Sequence, residues 1–469
     1  MNGRSFHPSS SSFRDPAGFV FENQGQIYRQ INQVGKTDFD HFINSGLYNE
    51  LLNQELIIAH REVEASKFAP DVQRYKVIKP RRLPFVSYPY EWTFSQLKAA
   101  ALLTLKIQKA ALTKGLILKD ASAYNVQFIG GQAILIDTLS FRIRQPGAPW
   151  EGYRQFCEHF LGPLAIAAFI SPNLLKLAAV FLDGLPLQLA CQMLPARARL
   201  RKGLLAHLYL HAAFQKRFDK AKPQVSAKPR QVGELAMEGL LSSLQKTVEK
   251  LRISSQKTQW GDYYNATNYS KAAFETKQRV VETLLRKIKP PPKIVWDFGA
   301  NDGRFSEITA GIGAYSVSFD IDPLATEKNF LKSRPQALKK MILPLIQDLT
   351  NPSPPLGWGH EERMSLKERS PSDVILALAL VHHLAIGNNL PLADISKFFA
   401  KLTSYLVIEF VPKSDSKARQ LLGGRQIQFA SYNQTNFEKS FGQHFDLVEK
   451  QRLTGSQRVI YLYKAKRAK

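Results

Sequence analysis

Apolar positions in the second half of the chain switch between a strand period and a helix period in a regular order. Ile294, Val295 and Trp296 form a short apolar run, and Asp297 and Phe298 lead into Gly299-Ala-Asn-Asp-Gly303. Phe305, Ile308 and Thr309 then recur at helical spacing, and Val317 and Phe319 mark a second strand that ends in Asp320 and Asp322. Met341 to Ile346 predicts a third strand, Asp373 to Leu380 a buried fourth and Leu406 to Phe410 a fifth. Residues 437–464 predict a helix and two closing strands around Gly455. Alternating strands and helices of this kind predict an α/β fold: a Rossmann-like, seven-stranded, doubly wound sheet.

The first half is patterned differently. Gly18 to Ile31 predicts two short strands around an Asn-Gln-Gly turn. Phe39 to Ile58 predicts one or two helices broken near Gly46, and Tyr75 to Val86 predicts two extended pieces punctuated by prolines. Phe94 to Leu112 is an amphipathic helix. Gly115 to Phe141 holds a loop, a strand over 126–129, a Gly130-Gly131 turn and a second strand over 133–136. Residues 150–218 are helical and apolar, an α+β pattern as a whole. The stretch 221–233, rich in proline, lysine and small residues without periodicity, predicts a linker. An amphipathic helix follows over 235–251, and another over 272–288. The expected boundaries are therefore a disordered 1–16, a first domain over 17–220, a linker and junction helix over 221–254, and a second domain over 255–469.

A strand, a glycine turn, a helix and a strand with a carboxylate at its tip form the nucleotide half of a doubly wound sheet, whose ligands sit outside the carboxyl ends of the strands. This turn has neither the G-x-G-x-x-G of a dinucleotide site nor the Lys-Ser/Thr pair of a P-loop. Asp297 enters the loop, where a pyrophosphate would be repelled and an ammonium group accepted. Asp320 is placed to accept from both ribose hydroxyls. An adenosine that carries a methionine and no phosphate satisfies both, which is S-adenosylmethionine. The stretch resembles the first signature of class I methyltransferases, D-x-G-x-G-x-G, with Asn301 in place of the middle glycine; asparagine tolerates left-handed backbone angles best among the other residues.

That resemblance implies cofactor-binding roles for Asp297, Gly299, Asn301, Gly303, Asp320 and Asp348, the last beside the adenine amine. It places the catalytic loop at Val381-His382-His383-Leu384, where His382 or His383 takes a proton from the acceptor. The alternative is that the histidine pair only shapes the cofactor pocket. Glu409 and Asp415, expected to point toward the mouth of the site, are the next candidates for the base. Trp260, Tyr263, Tyr264 and Tyr269 precede the 272–288 helix; the tyrosines either close over the methionine or pack the helix start. The whole chain is similar to bacterial two-domain methyltransferases, some of nodulation type, a resemblance that leaves the acceptor unnamed.

Asp120 and Asn125 stand five apart before a hairpin, and Asp137 follows it. Protein kinases and aminoglycoside phosphotransferases place a catalytic Asp, an Asn and a metal-binding Asp in this order, so 17–215 resembles a kinase-like fold. Carried over, Asp120 is the base-like residue, and Asn125 and Asp137 hold metal, with ATP and Mg²⁺ as the implied ligands. The chain departs from the pattern in having no glycine-rich loop, Arg29 at the phosphate-pairing lysine position, and Asp-Thr-Leu for the third motif. A pseudokinase-like scaffold is the expectation.

Charge widens the list of partners. The net charge is +25, with 30 Lys and Arg against 16 Asp and Glu in residues 1–230, and 34 against 23 in residues 231–469. The excess, +14 and +11, belongs to both halves and attracts polyanions, nucleic acid among them. Two cysteines, Cys157 and Cys191, exclude a disulfide framework and a four-cysteine zinc site, and fit a reducing cytoplasm. No signal-peptide core and no membrane-length apolar run are expected; the longest uncharged stretch, 160–175, contains Pro163 and Pro172. Three functions follow: methylation of a small molecule or glycan on O or N, which the histidine loop favours; methylation of RNA or protein; or methyl transfer joined to phosphotransfer.

Overall fold

The computed structural model describes residues 9–68, 71–220, 231–253, 271–333, 340–425 and 427–466. The chain divides into two compact units, Met1–Ser255 with Pro355–Arg363, and Gln256–Pro354 with Met364–Lys469.

The first unit opens on a four-stranded antiparallel sheet. β1 (Gly18–Asn23) and β2 (Gln26–Asn32) form the expected hairpin, β3 (His60–Val63) and β4 (Arg74–Pro80) complete the sheet, and the order is β1-β2-β4-β3. β3 had no clear signal in the sequence because an edge strand needs little apolar surface, and its four residues are exposed or half-buried. Of the two extended pieces expected over Tyr75 to Val86, the first is β4, and residues 81–86 pair into no strand. Helices Lys36–Asn44 and Leu47–Asn53 lie between β2 and β3 in sequence, separated at Gly46, whose φ of 79° only glycine takes easily.

Thr93 caps the helix Phe94–Leu112: its Oγ accepts from the Gln96 amide at 3.3 Å, and its own amide donates to Gln96 Oε1 at 2.8 Å. Two small antiparallel sheets follow, β5 (Leu116–Leu118) with β8 (Phe141–Ile143), and between them in sequence the hairpin of β6 (Val126–Ile129) with β7 (Gln132–Leu135). The helix Glu234–Lys250 buries Met237, Leu241, Leu244 and Val248, the stripe its sequence predicts. It lies on Phe94–Leu112, where Lys98 Nζ donates to the carbonyls of Glu249 and Leu251. Pro355–Arg363 belongs to this unit through the Arg14–Glu362 ion pair at 2.6 Å and the Arg363 guanidinium, 4.1 Å from the Tyr124 ring centre.

The second unit is built on a seven-stranded sheet of β9 (Ile294–Phe298), β10 (Tyr315–Asp320), β11 (Ile342–Ile346), β12 (Ser372–Ala377), β13 (Thr403–Phe410), β14 (Phe445–Arg452) and β15 (Val459–Ala465). The order is β11-β10-β9-β12-β13-β15-β14; the first five strands are parallel and β15 runs antiparallel to both neighbours. Helix Lys271–Lys287 presses Val281, Leu284 and Leu285 onto a core shared with Val295, Val374, Leu376, Val407 and Leu462. The chain leaves β9 for β10 on one side, and β12 lies on the other. This reversal of winding opens a crevice at the carboxyl ends of the central strands.

Candidate active site

The crevice is a cavity of about 270 Å³ lined by the ends of β9, β10, β11 and β12. After β9 the chain turns through Gly299 (φ 73°), Asn301 (φ 51°) and Gly303 (φ 84°). At Gly303 the requirement for glycine is double: φ is left-handed, and a Cβ would stand 2.3 Å from Asn329 Oδ1. The turn leans on Asp320 at the tip of β10. The Asn301 amide donates to Asp320 Oδ2 at 2.8 Å and the Asp322 amide to Oδ1 at 2.9 Å. Asp297, one strand over, accepts from Ser306 Oγ at 2.6 Å, and Ser318 Oγ donates on to Ser306 at 2.7 Å.

Burial pushes both the Asp297 and Asp320 carboxyls from the usual 3.8 up to about 6, and their mutual charge adds to the rise at Asp297. Two carboxyls so placed, side by side on a cavity wall, favour a ligand that brings positive charge and hydroxyl donors. Asp348 lines the cavity after β11; one of its oxygens is held by Thr350, from the amide at 2.8 Å and the hydroxyl at 2.7 Å. Thus Asp297, Gly299, Asn301, Asp320 and Asp348 meet on one cavity, and Gly303 supports the turn. This donor set, free of phosphate-binding features, fits S-adenosylmethionine.

The three candidate bases separate. His383 lines the cavity, and burial lowers its imidazole to about 4, so it is neutral near pH 7. His382 is fully buried, is absent from the cavity lining, and has no hydrogen-bond partner on either ring nitrogen among the described residues. Glu409 does not open to the mouth as expected. It is fully buried, takes Lys277 Nζ at 2.6 Å, stands 3.4 Å from Arg458, and accepts from the Ala379 amide at 2.7 Å. Asp415 likewise pairs with Arg458 at 2.9 Å and caps the helix Ser416–Leu422. These carboxylates are engaged by cations because a buried charge without a partner is costly. Trp260, Tyr263, Tyr264 and Tyr269 lie outside the described residues.

Lys277, Ser306, Arg458 and Gln347 were not anticipated. Lys277 had a readable signal: it stands between Phe274 and Val281 on the apolar stripe of its helix, where a lysine is out of place unless paired. It lines the cavity, and burial lowers its ammonium below the usual range against the pull of Glu409.

In the first unit, Asp120, Asn125 and Asp137 also come together. Asp137 is ion-paired with Arg29 at 2.5 Å and accepts from Ser140 Oγ at 2.7 Å and the Leu139 amide at 3.0 Å. Burial would raise this carboxyl, but Arg29 and these donors outweigh it and hold it below its usual range. Asn125 Nδ2 donates to the same Ser140 hydroxyl, and burial with the Asp137 charge raises Asp120. The set does not fit the Mg²⁺ the resemblance implied. Asp137 is spent on Arg29, and the described residues hold no group of three ligating side chains. His207 and His211 stand four apart on helical backbone, and His207 bonds to Tyr153 and Ser243.

No family model matches the chain. It is 32% identical over 464 residues to the nodulation protein NoeA of Rhizobium meliloti (strain 1021), covering 97% of this chain and 95% of that protein. Among solved structures it is similar to the N-methyltransferase NodS of Bradyrhizobium japonicum WM9, at 10% identity over 42% of this chain and 98% of that one, with a TM-score of 0.30. It is also similar to the magnesium protoporphyrin IX methyltransferase ChlM of Synechocystis PCC 6803 with bound SAH, at 17% identity over 44% and 93%, TM-score 0.31. Overlap at that level leaves the fold to be argued from the strand order itself.

Proposed function

This chain belongs to the family of the nodulation protein NoeA, and from the cavity of its second unit we propose that this unit transfers a methyl group from S-adenosylmethionine to a small-molecule or glycan oxygen or nitrogen. The observation that carries the reading is the acidic wall of the cavity, with Asp320 braced by the glycine turn beside Asp297. In this reading Asp297 meets the ammonium group, Asp320 the ribose hydroxyls and Asp348 the adenine amine. Gly299, Asn301 and Gly303 let the backbone come close.

Bound there, the donor supplies a sulfonium carbon open to in-line attack. The residues of the chain hold the two reactants in line and receive a proton, because charge is dispersed at the moment of transfer and little covalent help is needed. His383 is the proposed base, since it lines the cavity as a neutral imidazole. For the first unit we propose a kinase-like scaffold that no longer transfers phosphate. The order hairpin, helix pair, long helix and second hairpin supports the scaffold, and the Arg29–Asp137 pair argues against catalysis.

Ultraviolet cross-linking with methyl-labelled S-adenosylmethionine tests the reading without an acceptor. We expect labelling that S-adenosylhomocysteine competes away, that ATP leaves intact and that Asp320→Ala abolishes. A protein that takes no label, or loses it equally to ATP, contradicts it.

A further inference from the structure

The helix that closes the helical part of the first unit runs through Lys202–Leu204, Leu205–Leu210 and His211–Lys220, and it is apolar on two faces. One face is accounted for. Leu204, Leu208 and Ala212 are buried, and His207 is pinned by Tyr153 Oη at 2.9 Å and Ser243 Oγ at 2.8 Å. The other face points to solvent, and is apolar too: Leu205 is 39% exposed, Leu210 49% and Phe214 57%. Ala206 and Ala213 are exposed beside them, and Leu200, in the turn just before the helix, is 83% exposed. A face that meets only water carries polar side chains at these spacings.

The exposed charged residues along this stretch, from Arg197 to Lys216, are all basic. Arg197, Arg199, Arg201 and Lys202 are exposed at its start and Lys216 at its far end. Between Asp183 and Asp219 the sequence has no carboxylate side chain at all. A row of leucine and phenylalanine with basic residues at both ends is the composition of a helix that lies in the headgroup layer of a bilayer. Its apolar side chains enter the acyl boundary and its cations meet anionic lipid.

We propose that this face, with the Ala196–Leu200 turn, seats the protein on an anionic membrane surface. A second copy of the chain is disfavoured, because apposing two such faces brings five exposed cations against five like charges. Nucleic acid would use the cations and leave the leucines without a role. The contact lies on the bilayer rather than through it: no helix among the described residues is long and apolar enough to cross a membrane.

The test is co-sedimentation of the full-length protein with vesicles of phosphatidylcholine plus phosphatidylglycerol, against phosphatidylcholine alone. We expect binding to the anionic vesicles, at least about tenfold weaker binding to the neutral ones, and release by salt. Leu210→Gln with Phe214→Gln removes the apolar anchors, and Arg199→Gln with Lys202→Gln removes the charge. Each pair should reduce binding about tenfold while far-ultraviolet circular dichroism stays that of the parent. Absence of binding by the parent protein overturns the proposal, as does undiminished binding by both variant pairs. Sedimentation velocity without lipid adds a third arm: a concentration-dependent dimer that Leu210→Gln with Phe214→Gln dissolves would assign the face to a second copy instead.

Discussion

Asp297 and Asp320 each give the second unit a pH dependence. Each binds its proton more tightly folded, near 6, than in an ordinary carboxyl near 3.8. The stability this contributes is complete below 3.8 and is lost as pH rises through about 6. His383, lowered to about 4, contributes the opposite slope between about 4 and 6.5, so the carboxyl share is read by difference in thermal melts of the unliganded protein: Asp297→Asn with Asp320→Asn should make stability rise more steeply, or fall less, with pH across that window. Donor binding has the opposite sign. A cationic, hydroxyl-bearing ligand needs the carboxylates ionised, so its affinity should rise with pH through about 6, as titrations across the window would record. Lys277 gives a third prediction at this scale. Lys277→Met takes one of the paired cations from the fully buried Glu409, and removing one partner of a buried pair typically costs about 3–5 kcal/mol. A large drop in the urea midpoint of this unit is expected, and an unchanged midpoint would show that the partners left to Glu409 suffice.

At the scale of elements, the turn between β9 and the helix Arg304–Gly311 is the most exacting piece. Gly303→Ala must place a Cβ against Asn329 in a left-handed backbone, so it should unseat the turn from Asp320 and weaken donor binding, with Asn329→Ala relieving the clash in part. This turn and the buried strands were legible in the sequence. A parallel strand covered on both faces reads as an unbroken apolar run, and a tight turn leaves its glycines in plain view. The edge strand β3 was not legible, since it buries little. Nor was the cluster of Lys277, Glu409, Arg458 and Asp415, which gathers side chains from four separate places along the chain. Only the lysine on an apolar helix stripe hinted at it. The loop around Asp120 showed its residues but hid their state. Arg29, more than a hundred positions earlier, decides that Asp137 is a partner in an ion pair.

At the scale of the whole molecule, the two units differ in what they bring together. The second has a strand order, a glycine turn and an acidic cavity that together amount to a site. The first brings its acidic residues together and neutralises the central one, while its exposed apolar and basic helix face looks outward. The segment Pro355–Arg363 belongs to the first unit although it lies, in sequence, between the third and fourth strands of the second. No pattern of apolar residues announces that assignment; it rests on Arg14–Glu362 and on the Arg363 stack over Tyr124.

The most direct measurement is calorimetric titration of the full-length protein with S-adenosylmethionine above pH 6, beside Asp320→Ala. The account predicts one site per chain and an affinity about a hundredfold weaker in the variant, since hydrogen bonds to a carboxylate are worth about 1.5–3 kcal/mol each. No heat from the intact protein, or equal affinity in Asp320→Ala, would contradict it.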